Sequence, residues 1–491
     1  MVSFTLRRVG VLVASILLTY TSFAQLDIFE IMQRRDLRID QVEQLAKRYF
    51  DSTGTERGTG YKQYQRWLYD LRFHLNEFGF QLPPNYDWEV YEQWKKYDGG
   101  GKGSGQNLLS GTTSWVEKGP TNWNRTSGWN PGVGRLTSVA VHPLDTTLIY
   151  VTSPGGGVWR STTGGNSWTP LTDANGSWMN MFSVAVDPQN VNVVYAGSNA
   201  AQVIKSVDRG NTWTSVGRLM SGTVSKILIH PTNSNIIFTA AQNGIFRSTD
   251  GGVSWTKTYS NSIEDIEFKP GDPNTMYATG PFNPSVVRST DGGLTWVGLT
   301  STEGITHAAR ALVSVSPADP NRVYVVQAFG NEFGRLYVST NSGASFTVSV
   351  TGSAAGCTNF FGYETTGCGT GGQAGYDMAM CVNPNNANEI YIGGIIVFRS
   401  TDGGKTFAAQ TAWSYPNSIG YNHADIHALE WVRNSVYSGS DGGIYISTDR
   451  GDNWRDLSNG LGIRQFYRIA YSKTNSQLFT GGAQDNGSSL F

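Results

Sequence analysis

Ser248-Thr249-Asp250-Gly251-Gly252-Val253-Ser254-Trp255 and six further stretches like it decide the fold. The others run Ser161 to Trp168 (STTGGNSW), Ser206 to Trp213 (SVDRGNTW), Ser289 to Trp296 (STDGGLTW), Ser339 to Phe346 (STNSGASF), Ser400 to Phe407 (STDGGKTF) and Ser447 to Trp454 (STDRGDNW). Successive serines lie 45, 42, 41, 50, 61 and 47 residues apart. A period of roughly 40 to 50 residues built from short strands marks a repeat array, and near this length the usual unit is a four-stranded propeller blade.

Each phrase closes a longer frame. An apolar run ends in a proline turn (Val141-His142-Pro143, Val186-Asp187-Pro188, Ile229-His230-Pro231), a second run follows (Leu148 to Val151, Glu389 to Ile392), and a third leads into the phrase (Gly157 to Arg160, Ile245 to Arg247). These runs are rich in β-branched and aromatic residues and bounded by Gly, Pro, Asn or Asp, so they read as strands one, two and three. The phrase is then the turn into strand four. Such a turn needs a backbone position at positive φ, which glycine supplies, and a short side chain that accepts hydrogen bonds from loop N–H groups. Asp208, Asp250, Asp291, Asp402 and Asp449 suit that structural role, and in copies one and five Thr163 and Asn341 can still accept. Seven near-identical copies cannot all be one active site. The expected fold is all-β: a propeller of seven to eight four-stranded blades, preceded by a small α-helical segment.

The phrase resembles the Asp-box, or BNR, repeat of sialidases, of sortilin-type Vps10 domains and of xyloglucan-hydrolase-like glycosidases, over about Trp115 to Phe491. The resemblance implies a propeller; it leaves function open, because this scaffold carries hydrolases, receptors and assembly factors. A sialidase would carry an Arg-Ile-Pro motif before the first Asp-box, and none occurs. Where xyloglucan hydrolases place a catalytic Asp before the glycine pair, this chain reads Thr152-Ser153-Pro154-Gly155-Gly156, so half of a carboxylate pair is missing there. The leader, the aromatic segment with Lys62 to Trp67 (KQYQRW) and Trp115 to Pro120 (WVEKGP) together resemble large exported Bacteroidota proteins, many of which carry a type IX secretion sorting domain.

Composition agrees with a turn-rich β protein: 39% hydrophobic, 15% charged, 59 glycines. The net charge of -1, or -3 without Arg7 and Arg8, and the lack of any basic run argue against a nucleic-acid partner. Arg7-Arg8, the apolar Val9 to Leu18 and the small residues of Ser22-Phe23-Ala24 read as an export signal over 1–24; that apolar run is too short to span a bilayer, and no later one is long enough. Residues 25–97 read as an aromatic-rich helical segment. Asp40 and Glu43 form its capping box, Tyr61, Tyr64, Leu68, Leu71, Leu75 and Phe78 a second apolar stripe, and Asp87 caps a third helix with Trp88, Tyr91 and Trp94. A Gly/Ser-rich linker spans 98–112 and the propeller 113–491. Its last repeat looks incomplete, with Gly481 to Gly487 leading into a third strand, so the expectation is a truncated chain; a closed ring with Trp115 to Lys118 as clasp is the alternative. Cys357 and Cys368 flank a Gly-rich loop and are paired as an expected disulfide, while Cys381 packs in a strand. No C-x-x-C spacing suggests zinc.

Variation concentrates on the face opposite the Asp-boxes, in the connections Trp123 to Arg135, Thr302 to Arg310, Cys357 to Tyr376 and Ala412 to His427. His423, Asp425 and His427 alternate at i, i+2, i+4, so in an extended segment they would share one side and offer a divalent metal site, acid–base chemistry or simple structural hydrogen bonds. His307, Arg310, Tyr376, Trp413 and Asp485 are further ligand-binding candidates, and Asp425, Asp441 and Asp377 are the carboxylates a hydrolase would recruit. Trp123, Trp129, Trp178, Tyr376, Trp413 and Tyr415 would stack on sugars or grip a peptide; blade packing is their structural alternative. The expected function is an exported propeller binding glycan or extracellular protein at or outside the cell surface, with the secretion machinery as a further partner and no cofactor beyond a divalent ion. A glycoside hydrolase is the alternative.

Overall fold

The computed structural model describes residues 27–56, 58–72, 74–83, 86, 89–90, 93, 119–121, 131–219, 222–414, 420–475 and 478–490. The export signal, the residues Asp87, Trp88, Tyr91 and Trp94 of the expected third helix, the linker, the Trp115 to Lys118 clasp and Trp123, Trp129 and Tyr415 lie outside the described residues. The chain forms two units, 1–83 and 84–491. No helix among the described residues is long and apolar enough to cross a membrane.

In the first unit, helices Ile28–Met32, Ile39–Thr53 and Tyr61–Leu71 pack Ile28, Ile31, Val42, Ala46, Phe50, Tyr64 and Leu68 into one core. Two details differ from the sequence reading. The second helix starts one residue ahead of Asp40, at Ile39, with Arg38 as N-cap, its N–H donating to Gln41 Oε1 at 3.0 Å; Glu43 instead accepts from Arg72. The helix of the second apolar stripe ends at Leu71, because Asn76 Oδ1 accepts from the Phe78 and Phe80 N–H groups and turns the chain, leaving Phe78 exposed.

The second unit holds seven four-stranded antiparallel sheets, each in plain sequence order, and one three-stranded sheet. The innermost strands of the seven are Ser138–His142, Met181–Val186, Val224–Ile229, Asp265–Lys269, Arg310–Ser316, Ala379–Val382 and Ile426–Val432. Neighbouring inner strands touch all the way round, and the first touches the seventh, so the ring is closed at seven blades. Blade one and blade seven share a core of Val139, Val141, Ile149, Val151, Trp159, Val432, Tyr437 and Ile444, among others. Each of these two blades supplies its own four strands. The three-stranded sheet (Phe466–Tyr471, Phe479–Ala483, Ser488–Leu490) therefore stands outside the ring, which settles the seven-or-eight question in favour of seven.

The Asp-box turns account for much of the order between blades. In blade three, Ser248 Oγ donates to Asp250 Oδ1 (2.8 Å) and accepts from Gly252 N–H (2.9 Å), and Asp250 accepts from Ser254 N–H (2.9 Å). Thr163 and Asn341 accept the equivalent N–H in copies one and five, at 3.0 and 2.9 Å. Gly251 sits at φ +72°, and Arg209, Ser342 and Arg450 hold the same positive-φ place in three other copies. The closing tryptophan reaches the preceding blade: Trp255 Nε1–H donates to Val216 O, and Trp168 Nε1–H donates to Leu457 O across the seam between blades one and seven. In the other direction, tyrosines of the second strands donate to carbonyls of the next blade's Asp-box, Tyr150 to Arg209, Tyr195 to Gly251 and Tyr391 to Arg450.

This makes the Asp-box serine a keystone of the turn, which can be tested. Ser248 is 1% exposed, so Ser248→Ala orphans a buried N–H and is expected to cost about 1–3 kcal/mol in urea unfolding. Val253→Ala, at a residue of the same turn that is 80% exposed, should stay within about 0.5 kcal/mol; equal losses would refute the account.

Candidate functional site

Antiparallel blades put the one-to-two turns and the Asp-box turns on one face, and the two-to-three loops and blade connections on the other. A channel of about 810 Å³ runs down the ring axis, walled by residues from all seven blades. Its mouth on the second face is lined by Arg135, Glu264, Arg310, Tyr376 and His427. Arg310 is held by Glu264 (Nε to Oε2, 2.8 Å) and by the carbonyl of Ala374 (2.7 Å). Deeper down, Lys226 Nζ bridges Asp265 and Glu267, at 2.7 Å each. Glu430 lines the same wall, and burial there pushes its carboxyl up to about 7, against the pull of Lys226 and with the push of Glu267.

Three parts of the chain build the mouth. The excursion between blades five and six, closed by the Cys357–Cys368 disulfide, delivers Gln373, Tyr376 and Asp377; Cys381 beyond it is free and buried. Blade seven delivers Asp425 and His427 at the start of its inner strand and Asp441 at its two-to-three loop. The eighth sheet delivers Asp485 from the turn between its last two strands.

Asp441 is the hub. Its Oδ1 accepts from His427 Nε2–H at 2.8 Å and its Oδ2 from the Tyr376 hydroxyl at 2.8 Å, while Arg135 donates to that same hydroxyl at 3.0 Å. The Tyr376 and His427 rings meet edge-on, 5.0 Å between centroids. Burial alone would raise the Asp441 carboxyl, but the His427 and Tyr376 donors and the Arg135 charge outweigh it and hold it at about 2. Because a carboxylate only accepts, His427 carries its proton on Nε2; burial pushes this imidazole below its usual value, so it is neutral at pH 7. Burial also pushes the Tyr376 hydroxyl well up, with the Asp441 charge adding to it. Asp377, 0% exposed, is pushed well above the carboxylate range by burial and then by Asp425 and Asp441. Gln373 Nε2–H donates to both Asp425 Oδ1 and Asp377 Oδ2. Two neighbouring carboxyls are thus driven in opposite directions.

The expected His423, Asp425, His427 constellation does not form. Asp425 lies at φ +66°, the strand begins only at Ile426, and its register slips between Ile426 and Ala428, so the three side chains do not alternate along an extended segment. His423 turns inward instead and is buried between the backbone carbonyls of Ala424 and Asp485, each 3.2 Å from a ring nitrogen. Gly442 is what admits it, since a Cβ there would meet the His423 ring at 2.2 Å. The acidic group that does converge is Asp425, Asp441 and Asp485. His307 is exposed, three residues ahead of Arg310. The aromatic face also differs from expectation. Trp413 is half-buried, donating to Tyr363 O and packing on the core of blades five and six, and Trp178 packs against the core of blades one and two; both serve the scaffold. Arg135 and Gln373 were not singled out from the sequence. Neither sits in a motif, and each acquires its place only when separate loops meet.

With this geometry in hand, comparison with known proteins is informative. No protein-family model matches the chain. A xyloglucanase of Hypocrea jecorina (strain QM6a) is 29% identical over 264 residues, covering 44% of this chain and 28% of that protein. The crystal structure of the Niastella koreensis GH74 enzyme matches with a TM-score of 0.56 at 20% identity, over 74% of this chain and 59% of that one. The GH74 xyloglucanase of Xanthomonas campestris gives 0.56 at 17% identity, over 73% and 60%. The likeness is one of fold. The chain spans 28% of the curated relative and about three fifths of the two structures.

Proposed function

We propose that this chain is an exported propeller that binds a glycan at the channel mouth, with Tyr376, Arg310, Arg135 and His427 as contact residues and Asp441 and Asp485 setting the electrostatics behind them. The observation that carries this reading is the mouth itself, a concave opening that combines one partly buried aromatic ring with convergent donors and acceptors, the composition sugar sites use. The partial match to a xyloglucanase favours a polysaccharide ligand over a peptide. The disulfide favours an oxidising, extracytoplasmic setting, in keeping with the signal over 1–24.

Titration calorimetry against xyloglucan and a panel of plant and host polysaccharides tests this. Tyr376→Ala and Arg310→Ala should each weaken binding at least about tenfold, the scale of one lost buried contact. No binding across the panel would sink the reading.

A glycoside hydrolase is the second reading, favoured by the opposed states of Asp377 and Asp441, since hydrolysis needs one protonated and one ionised carboxyl. Against it, both are buried, at 0% and 1% exposure, and both oxygens of Asp441 already accept hydrogen bonds, from Tyr376 and His427. Release of reducing sugar that disappears in Asp377→Asn and Asp441→Asn would favour it over binding alone.

A further inference from the structure

We propose that the tip of the blade-five hairpin is a second sugar subsite, with the ring of Phe329 as its platform. This subsite rests on the glycan reading of the mouth and makes the ligand a chain of several sugars, running from Tyr376 onto blade five, in place of a single terminal unit.

The hairpin stands above its neighbours. Its third strand, Glu332–Ser339, begins seven residues ahead of the Asp-box serine, against three or four in the other six blades. At about 3.3 Å per residue, its tip reaches on the order of 10 Å farther out on the second face. Phe329 closes this hairpin opposite Glu332 and is 41% exposed. Its ring lies against Gly334, where a Cβ would stand 2.9 Å from it, so glycine there lets the ring rest on the strand. Aromatic cover of a strand glycine holds such a ring in place before any ligand arrives. The Arg335 guanidinium sits 5.1 Å from the ring centroid. Arg335 is itself fixed, donating to Thr306 Oγ1 at 2.7 Å and to the Tyr337 hydroxyl at 3.3 Å, and His307, next to Thr306, is exposed.

Two observations set this ring apart from a scattered surface hydrophobe. Phe329 belongs to neither of the apolar cores that blade five shares with its neighbours, whereas Phe333 of the same hairpin does. The hairpin tip is also tied to the mouth. Asn331 accepts from the Ala374 N–H at 3.1 Å and, through Oδ1, from the Gly375 N–H at 3.2 Å, and Tyr376 is the next residue. Chain geometry then keeps the Cα atoms of Phe329 and Tyr376 within about 20 Å of each other, a span of several sugar rings. An aromatic face takes the C–H side of a sugar, while guanidinium, hydroxyl and imidazole groups around it meet the sugar hydroxyls. A purely apolar ligand would have no use for donors fixed beside the ring.

Calorimetric titration of the whole protein with oligosaccharides of graded length, cut from xyloglucan, mannan and chitin, tests this. Affinity should rise with length until one chain spans both rings. Phe329→Ala should then weaken binding of the longest chains at least about tenfold and leave the shortest chains that bind within about twofold of wild type. Tyr376→Ala should weaken every length, and Val253→Ala, on the Asp-box face, none. Wild-type affinity that does not change with length, or a Phe329→Ala variant that weakens short and long chains alike or neither, would overturn the subsite and leave the mouth reading standing. Absence of binding at every length and from every source would overturn both.

Discussion

Asp441→Ala should cost the protein about 3–5 kcal/mol, the scale of removing one partner from a buried charged network. The side chain is 1% exposed and receives two hydrogen bonds of 2.8 Å; its loss leaves the His427 N–H and the Tyr376 hydroxyl without that acceptor. Arg135 would then face an unanchored hydroxyl. Asp441→Asn keeps the shape and one acceptor, and should lose roughly half as much. Urea unfolding gives both values. A loss under about 1 kcal/mol for the alanine variant would mean that the mouth is held by its backbone and not by this network.

The second large effect is a gain. Glu430 has a folded value of about 7 against an ordinary 4.5. Between those limits the folded state binds the proton more tightly than the unfolded chain does. The contribution to stability is therefore complete below pH 4.5 and is lost as pH rises through about 7. Glu430→Gln removes the charge that burial opposes, so at pH 8 the variant should exceed wild type by up to about 3 kcal/mol, and at pH 4 the two should match. Glu267, also pushed up by burial but held by Lys226, keeps a slope of the same sign in the variant. Water in the channel would shrink the gain; a variant less stable at pH 8 than at pH 4, relative to wild type, would reverse the sign and exclude the account.

The blades were legible because their signal repeats: seven phrases at a near-constant spacing make a turn visible that a single copy would not. The closure of the ring was not legible, since the Trp168 to Leu457 bond joins residues 289 apart and has no counterpart in local pattern. At the candidate site, sequence reading named most of the side chains and misjudged their grouping. The alternation of His423, Asp425 and His427 presumed a strand three residues too early, and the positive φ at Asp425 breaks it. His427 and Asp441 meet because the register shift between Ile426 and Ala428 leaves His427 out of the ladder, beside the loop that follows Ser440, an irregularity written in neither residue alone. Gln373 matters only because a disulfide-closed excursion happens to end beside Asp425.

The tyrosine hydroxyls that reach forward to the next Asp-box bear on how such an array grows. Tyr150, Tyr195 and Tyr391 each donate to a carbonyl that belongs to the following blade. The three bonds span 56 to 59 residues, and those of Tyr150 and Tyr195 overlap, so any cut between Tyr150 and Gly251 separates at least one donor from its acceptor. No segment of one repeat length holds both partners of such a bond, so a blade copied, deleted or permuted along that stretch must make new links to its neighbours.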